Sequence, residues 1–147
     1  MDDSAFDGSE LDFWLGRWNA TWAGGEGTNR LERILGGHVI HEQFEGGEID
    51  GKPAERLHGQ SWSVFEPERR LWRQTWVDDA GGYFDLVGDR VDGWFAFVRA
   101  APEKGADARQ RMVFRDVQAE AFRWTWELSL DGGATWATRW EIAYRRA

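Results

Sequence analysis

Apolar and polar positions alternate with a period of two along most of this chain, the pattern of strands with one face buried. The clearest case is Phe122, Trp124, Trp126 and Leu128, which alternate with Arg123, Thr125, Glu127 and Ser129. A second run sets Trp136, Trp140, Ile142 and Tyr144 against Ala137, Arg139, Glu141 and Arg145. The two flank Asp131-Gly132-Gly133 and read as a hairpin. The same logic predicts strands near 17–23, 28–35, 38–45, 58–65, 71–77, 82–88, 93–99, 109–117, 121–129 and 135–145. Turn signals separate them: Gly24-Gly25, Gly36-Gly37, Glu66-Pro67, Asp79-Ala80-Gly81-Gly82 and Asp92-Gly93. Two longer polar connections, Gly46 to Leu57 and Ala100 to Ala108, read as surface loops. Ser9 is placed to cap a short helix, Glu10 to Leu15, that stops at Gly16.

No helix of ten or more residues is expected between strands, so parallel βαβ units are excluded. The expected fold is all-β: one antiparallel up-and-down barrel of about ten strands with a short N-terminal helix. The length of 147 residues fits a single domain over 1–147. Three strands carry polar residues on an apparently inward face. Gln74 lies between Trp72 and Trp76, His38 and Glu42 share a face with Ile40 and Phe44, and Asp85 lies between Tyr83 and Val87. Polar groups on an inward face are the informative observation.

Composition narrows the partners. Eighteen Lys and Arg against 26 Asp and Glu leave a formal charge of −8, which argues against nucleic acid and against an anionic membrane surface. No apolar run approaches the 18 or so residues of a membrane span. The acidic Met1-Asp2-Asp3-Ser4 start carries no apolar signal region, so the cytoplasm is the expected compartment. Cys is absent, which excludes disulfides, Cys metal sites and thiol nucleophiles. Trp is the outlier at 11 residues, enough either to fill a small barrel or to wall a cup.

The candidate site is a cup with polar groups His38, Glu42, Gln74 and Asp85, and walls from Trp62, Trp76, Tyr83, Trp124 and Trp126. A carboxylate in such a cup should have a raised pKa and could orient a ligand or move a proton. The plainer reading is that Glu42 pairs with Arg30, Arg33, Arg111 or a Gln in a satisfied buried network. His38 and His41, three apart in a strand, point to opposite faces, so no metal site is expected. His38 and Glu42 share a face but lie about 13 Å apart along it. Ser61 and Ser63 lack a nucleophile elbow, and Gly24-Gly25-Glu26-Gly27 lacks the Lys and helix of a phosphate loop. Arg109, Arg111 and Arg115 read as an outer face balancing nearby carboxylates, with an anion site or subunit contact as the alternative.

Gly16-Arg17-Trp18 after a short helix resembles the G-x-W opening of lipocalins and their calycin relatives. That resemblance implies a calycin-like barrel in which Trp18 closes the base and Arg139, Arg145 or Arg146 packs across it. The longer pattern is Phe13-Trp14-Leu15-Gly16-Arg17-Trp18, then Gly27-Thr28-Asn29-Arg30-Leu31-Glu32-Arg33-Ile34-Leu35, Arg73-Gln74-Thr75-Trp76-Val77-Asp78 and Asp131-Gly132-Gly133-Ala134-Thr135-Trp136. It resembles a family of small bacterial proteins of unknown function, which implies the fold and no reaction. The related nitrobindins hold haem through a His. Here His38, His41 and His58 all lie in the first half, a departure that disfavours haem, so no cofactor is expected. Ser129-Leu130-Asp131-Gly132-Gly133-Ala134-Thr135-Trp136 is similar to the Asp-box of sialidase propellers and is read here as a stapled turn.

Three functions follow. The first is a binding module for one small hydrophobic or aromatic molecule. The second is a proton-transfer enzyme such as an isomerase, cyclase or hydrolase. The third is a filled barrel acting as an interaction module, dimerising through an outer sheet face. The first two require a void, expected at about 300 Å³ or more.

Overall fold

The computed structural model describes residues 5–49 and 57–147. Ten strands follow one another: β1 (Gly16–Trp22), β2 (Gly25–Ile34), β3 (Val39–Ile49), β4 (His58–Glu66), β5 (Leu71–Asp78), β6 (Tyr83–Val91), β7 (Trp94–Ala100), β8 (Arg109–Arg115), β9 (Ala121–Ser129) and β10 (Ala137–Arg146). Each pairs antiparallel with its sequence neighbours, and β1 pairs with β10, so the sheet closes into a barrel. Short turns place each strand beside its neighbours in sequence, and closure removes the exposed edges. Among the described residues no helix is long and apolar enough to cross a membrane.

The expected helix from Glu10 to Leu15 is only one 3-10 turn, Asp12–Trp14. Local side-chain bonds outcompete the helix here. The Glu10 carboxylate turns back to accept from the amides of Asp7 and Gly8, at 3.0 Å each, and from Trp72 Nε1 at 2.9 Å. Ser9 Oγ donates to Asp7 Oδ1 rather than capping a helix. The segment serves as a plug: Phe6, Leu11 and Trp14 are buried in the core.

The plug is locked by the far end of the chain. Arg146 stacks 4.2 Å over Trp18, and its guanidinium donates to the carbonyls of Phe13, Leu15 and Ala119 at 2.8 Å each. Trp18 Nε1 donates to Trp14 O at 2.9 Å. Gly16 has φ +116°, and a Cβ there would lie 2.7 Å from Arg146 Nη1, so the glycine serves both the turn and the approach of the cation. Of the three arginines in question, Arg146 is the one that crosses Trp18.

The hairpin between β9 and β10 holds a correction. A bulge between Thr138 and Trp140 adds a residue, so Trp136 does not share the inward face of Trp140. Trp136 folds back outside the barrel, 3.9 Å over the Arg111 guanidinium. The turn itself is stapled as expected. Asp131 accepts from Ser129 Oγ, Thr135 N and Thr135 Oγ1, and these bonds pull its pKa down to about 2.

Arg146→Ala should lower unfolding free energy by about 2–3 kcal/mol, through lost charge-assisted bonds and stacking. Arg146→Lys should recover less than half of that, since an ammonium lacks the planar fork. Urea denaturation of the three proteins checks both outcomes.

Candidate functional site

The base is plugged, and the other end carries the β1–β2, β3–β4, β5–β6, β7–β8 and β9–β10 connections, residues 50–56 of β3–β4 lying outside the described residues. A cavity of about 180 Å³ lies there. This falls short of the void of about 300 Å³ expected for both the binding module and the enzyme, because indoles occupy part of the bore, and it leaves room for no more than a single-ring molecule.

Alternation along β9 turns Trp124 and Trp126 inward, with ring planes 7° apart and centroids at 6.5 Å. The β10 bulge brings Trp140 edge-on to Trp124 at 5.6 Å. Across the cavity stand Phe44, Trp76 and Phe84. Trp76 takes its place because β4 carries Gly59 diagonal to it, two residues before its cross-strand partner Ser61; a Cβ at Gly59 would fall 2.1 Å from the indole. Asp78 accepts from Trp76 Nε1 at 2.8 Å and from the amides of Ala80 and Gly82, so the rim turn orients the ring.

The floor is polar at one point. Glu42 is 7% exposed and lines the cavity with Ile142 and Tyr144. Its carboxyl accepts from Asn29 Nδ2 and Ser61 Oγ, each at 2.7 Å. None of the three arginines considered as partners reaches it: Arg30 bonds Gln43, Arg33 bonds Asp12 and Arg111 bonds Glu127. Burial raises the Glu42 pKa, and the bonds from Ser61 and Asn29, with the charge of neighbouring His41, offset that only in part. Burial, and then the Glu42 charge, hold Tyr144 well above its ordinary range.

Of the residues expected at the site, Glu42, Trp76, Trp124 and Trp126 meet around this cavity. Gln74 points inward but lies one layer nearer the base, where its Nε2 donates to Ser63 Oγ at 2.9 Å, and it does not line the cavity. His38 is exposed in the β2–β3 turn, at the opposite end from the cavity. Trp62 faces outward and stacks on His41 at 5.1 Å, because Ser61 and Ser63 take the inward positions of β4. Tyr83 is 65% exposed and Asp85 is also exposed. On β6 the inward set is Phe84, Leu86 and Gly88, one residue out of phase with the expectation. Phe84 and Leu86 offered that alternative phase in the sequence. Asn29 and Ser61 left no such signal, since neither is unusual on a strand. None of His38, His41 and His58 lines the cavity, and no cluster of three or more potential metal ligands occurs among the described residues.

The arginine strand is balanced by a carboxylate. Glu127, 4% exposed on the outer face, accepts from Arg111 Nε at 2.7 Å, Arg115 Nη2 at 2.9 Å and Thr125 Oγ1 at 2.8 Å. Burial alone would push its pKa up, but these bonds outweigh that and hold it below the ordinary Glu range. Arg111 and Arg115 thus already hold their anion.

No protein-family model matches this chain, and no curated protein matches it.

The folded protein holds the Glu42 proton more tightly than the unfolded chain does. Its contribution to stability is therefore complete below the ordinary value of 4.5 and is lost as pH rises through the higher folded value. Each unit by which the folded value is raised amounts to about 1.4 kcal/mol lost at high pH. Denaturation midpoints from pH 5 to 8 should fall in the parent and fall less in Glu42→Gln. Parallel slopes would refute the assignment.

Proposed function

We propose that this protein is a calycin-like binding module whose cup takes one small apolar or aromatic molecule, oriented by Glu42. The observation that carries this reading is a Trp-walled cavity with a buried carboxyl at its floor that bonds no cation among the described residues. Aromatic walls around a few polar groups are the usual composition of a small-molecule site. A volume of about 180 Å³ suits a single ring with a short substituent rather than a drug-sized ligand. An engineered apolar cavity of about 150 Å³ in another protein binds benzene. The stack of Arg146 on Trp18 supports the calycin likeness, since that resemblance implies such a closure of the base.

A proton-transfer enzyme is the second reading. It rests on the raised pKa of Glu42, which is the property a general acid near neutral pH requires. Binding that survives Glu42→Gln, with turnover of the same compound abolished, would favour that reading over the module.

Titrating the protein with benzyl alcohol should give a saturable change in Trp emission. Met112→Phe, which adds a ring to the cavity lining, should weaken that binding about tenfold while leaving the fold intact, a loss of roughly 1.4 kcal/mol. Unchanged emission across a panel of single-ring compounds would count against the cup.

A further inference from the structure

We propose that the ligand of the cup is a compact organic cation: an apolar body carrying one ammonium group, received by the four indoles and the carboxyl of Glu42. This rests on the cup reading above and names the chemistry of its ligand.

Glu42 supplies the first argument. A buried carboxylate is costly without a compensating charge. Its two hydrogen-bond partners among the described residues, Asn29 and Ser61, are neutral, and it lines the cavity. An ammonium entering from the cavity supplies the missing charge. A ligand carboxylate would instead meet Glu42 as a like charge.

The walls supply the second. Trp76, Trp124, Trp126 and Trp140 line one space of about 180 Å³, and Trp is the strongest cation–π partner among side chains. Trp124 and Trp140 meet at 89°, so the box presents both ring faces and ring edges. Among the described residues, no Lys, Arg or His lines the cavity, and its two charged residues, Glu42 and Asp78, are both acids. Arg99 points inward at the same end, its guanidinium 4.8 Å over the Phe84 ring that forms part of the wall; it does not line the cavity and is tied to Glu103 at 2.7 Å and to Gln110 at 2.6 Å.

The mouth supplies the third. The described loops at the open end carry Asp79, Glu103, Asp107 and Asp131 against Lys104. With a net charge of −8, this field draws cations toward the opening.

Calorimetry with benzylammonium and with benzyl alcohol, close in size and different in charge, tests the proposal at neutral pH. Benzylammonium should bind at least about tenfold more tightly, a preference within reach of one desolvated charge pair plus cation–π contact. Glu42→Gln should bring the two affinities within about threefold of each other, with the larger loss falling on benzylammonium. Trp126→Leu should also narrow the gap, and it leaves Glu42 in place. Equal or weaker binding of benzylammonium, with benzyl alcohol still bound, would overturn the cation and leave the cup reading standing. Binding of neither probe would overturn both.

Discussion

The cup depends on one guanidinium. Arg146, at the end of the last strand, bonds the carbonyls of Phe13 and Leu15 just before the first. It thereby ties the two chain ends together where β1 must meet β10 for the sheet to close. A barrel lacking that seam would expose two long strand edges and lose its interior. The same cation presses on Trp18, which seats the plug of Leu11 and Trp14. Sealing one end in this way makes the opposite end the mouth.

Above the plug, packing changes character. The base is filled: Phe95 meets Phe97 edge to face and Phe114 at a tilt, and Phe114 meets Phe122 at a tilt, all four buried. Toward the mouth the rings become larger and only half-buried, and Trp76, Trp124, Trp126 and Trp140 stand around a space rather than in it. Gly59 illustrates how that space is arranged. Its missing side chain leaves room for the Trp76 indole, and Asp78 then fixes the ring from the rim.

Most of the fold was legible in the sequence because period-two alternation and glycine turns are local signals. Ten strands lie close to where those signals put them, and β9 shows its faces as read. However, β2 starts earlier, at Gly25, and β3 runs on to Ile49, into the expected loop Gly46 to Leu57, whose residues 50–56 lie outside the described residues. The misreadings share a physical cause. On β6 both phases carry apolar residues, Tyr83 and Val87 or Phe84 and Leu86, and only packing against Trp126 selects the second. On β4 the large ring of Trp62 looked like an inward residue, yet the bore already held indoles from the facing strands and accepted Ser61 and Ser63 instead. The phase change before Trp140 comes from a bulge, which no alternation pattern can announce. Glu42 was legible as an inward carboxylate. Its partners were not, because they depend on cross-strand register.

Two buried glutamates show why the floor, rather than the arginine strand, is the candidate site. Glu127 is packed beneath two arginines and a threonine, so its charge is answered within the protein and its pKa falls. Glu42 is buried to a similar degree, yet among the described residues it has only an amide and a hydroxyl for hydrogen-bond partners, and its pKa rises. The Glu127 network shows that this barrel readily neutralises a buried carboxylate. Leaving Glu42 without a cation keeps one strong polar group responsive to whatever enters the cavity. An inert floor at that position would be satisfied as well by Gln, which can bond Asn29 and Ser61 without the cost of a buried charge.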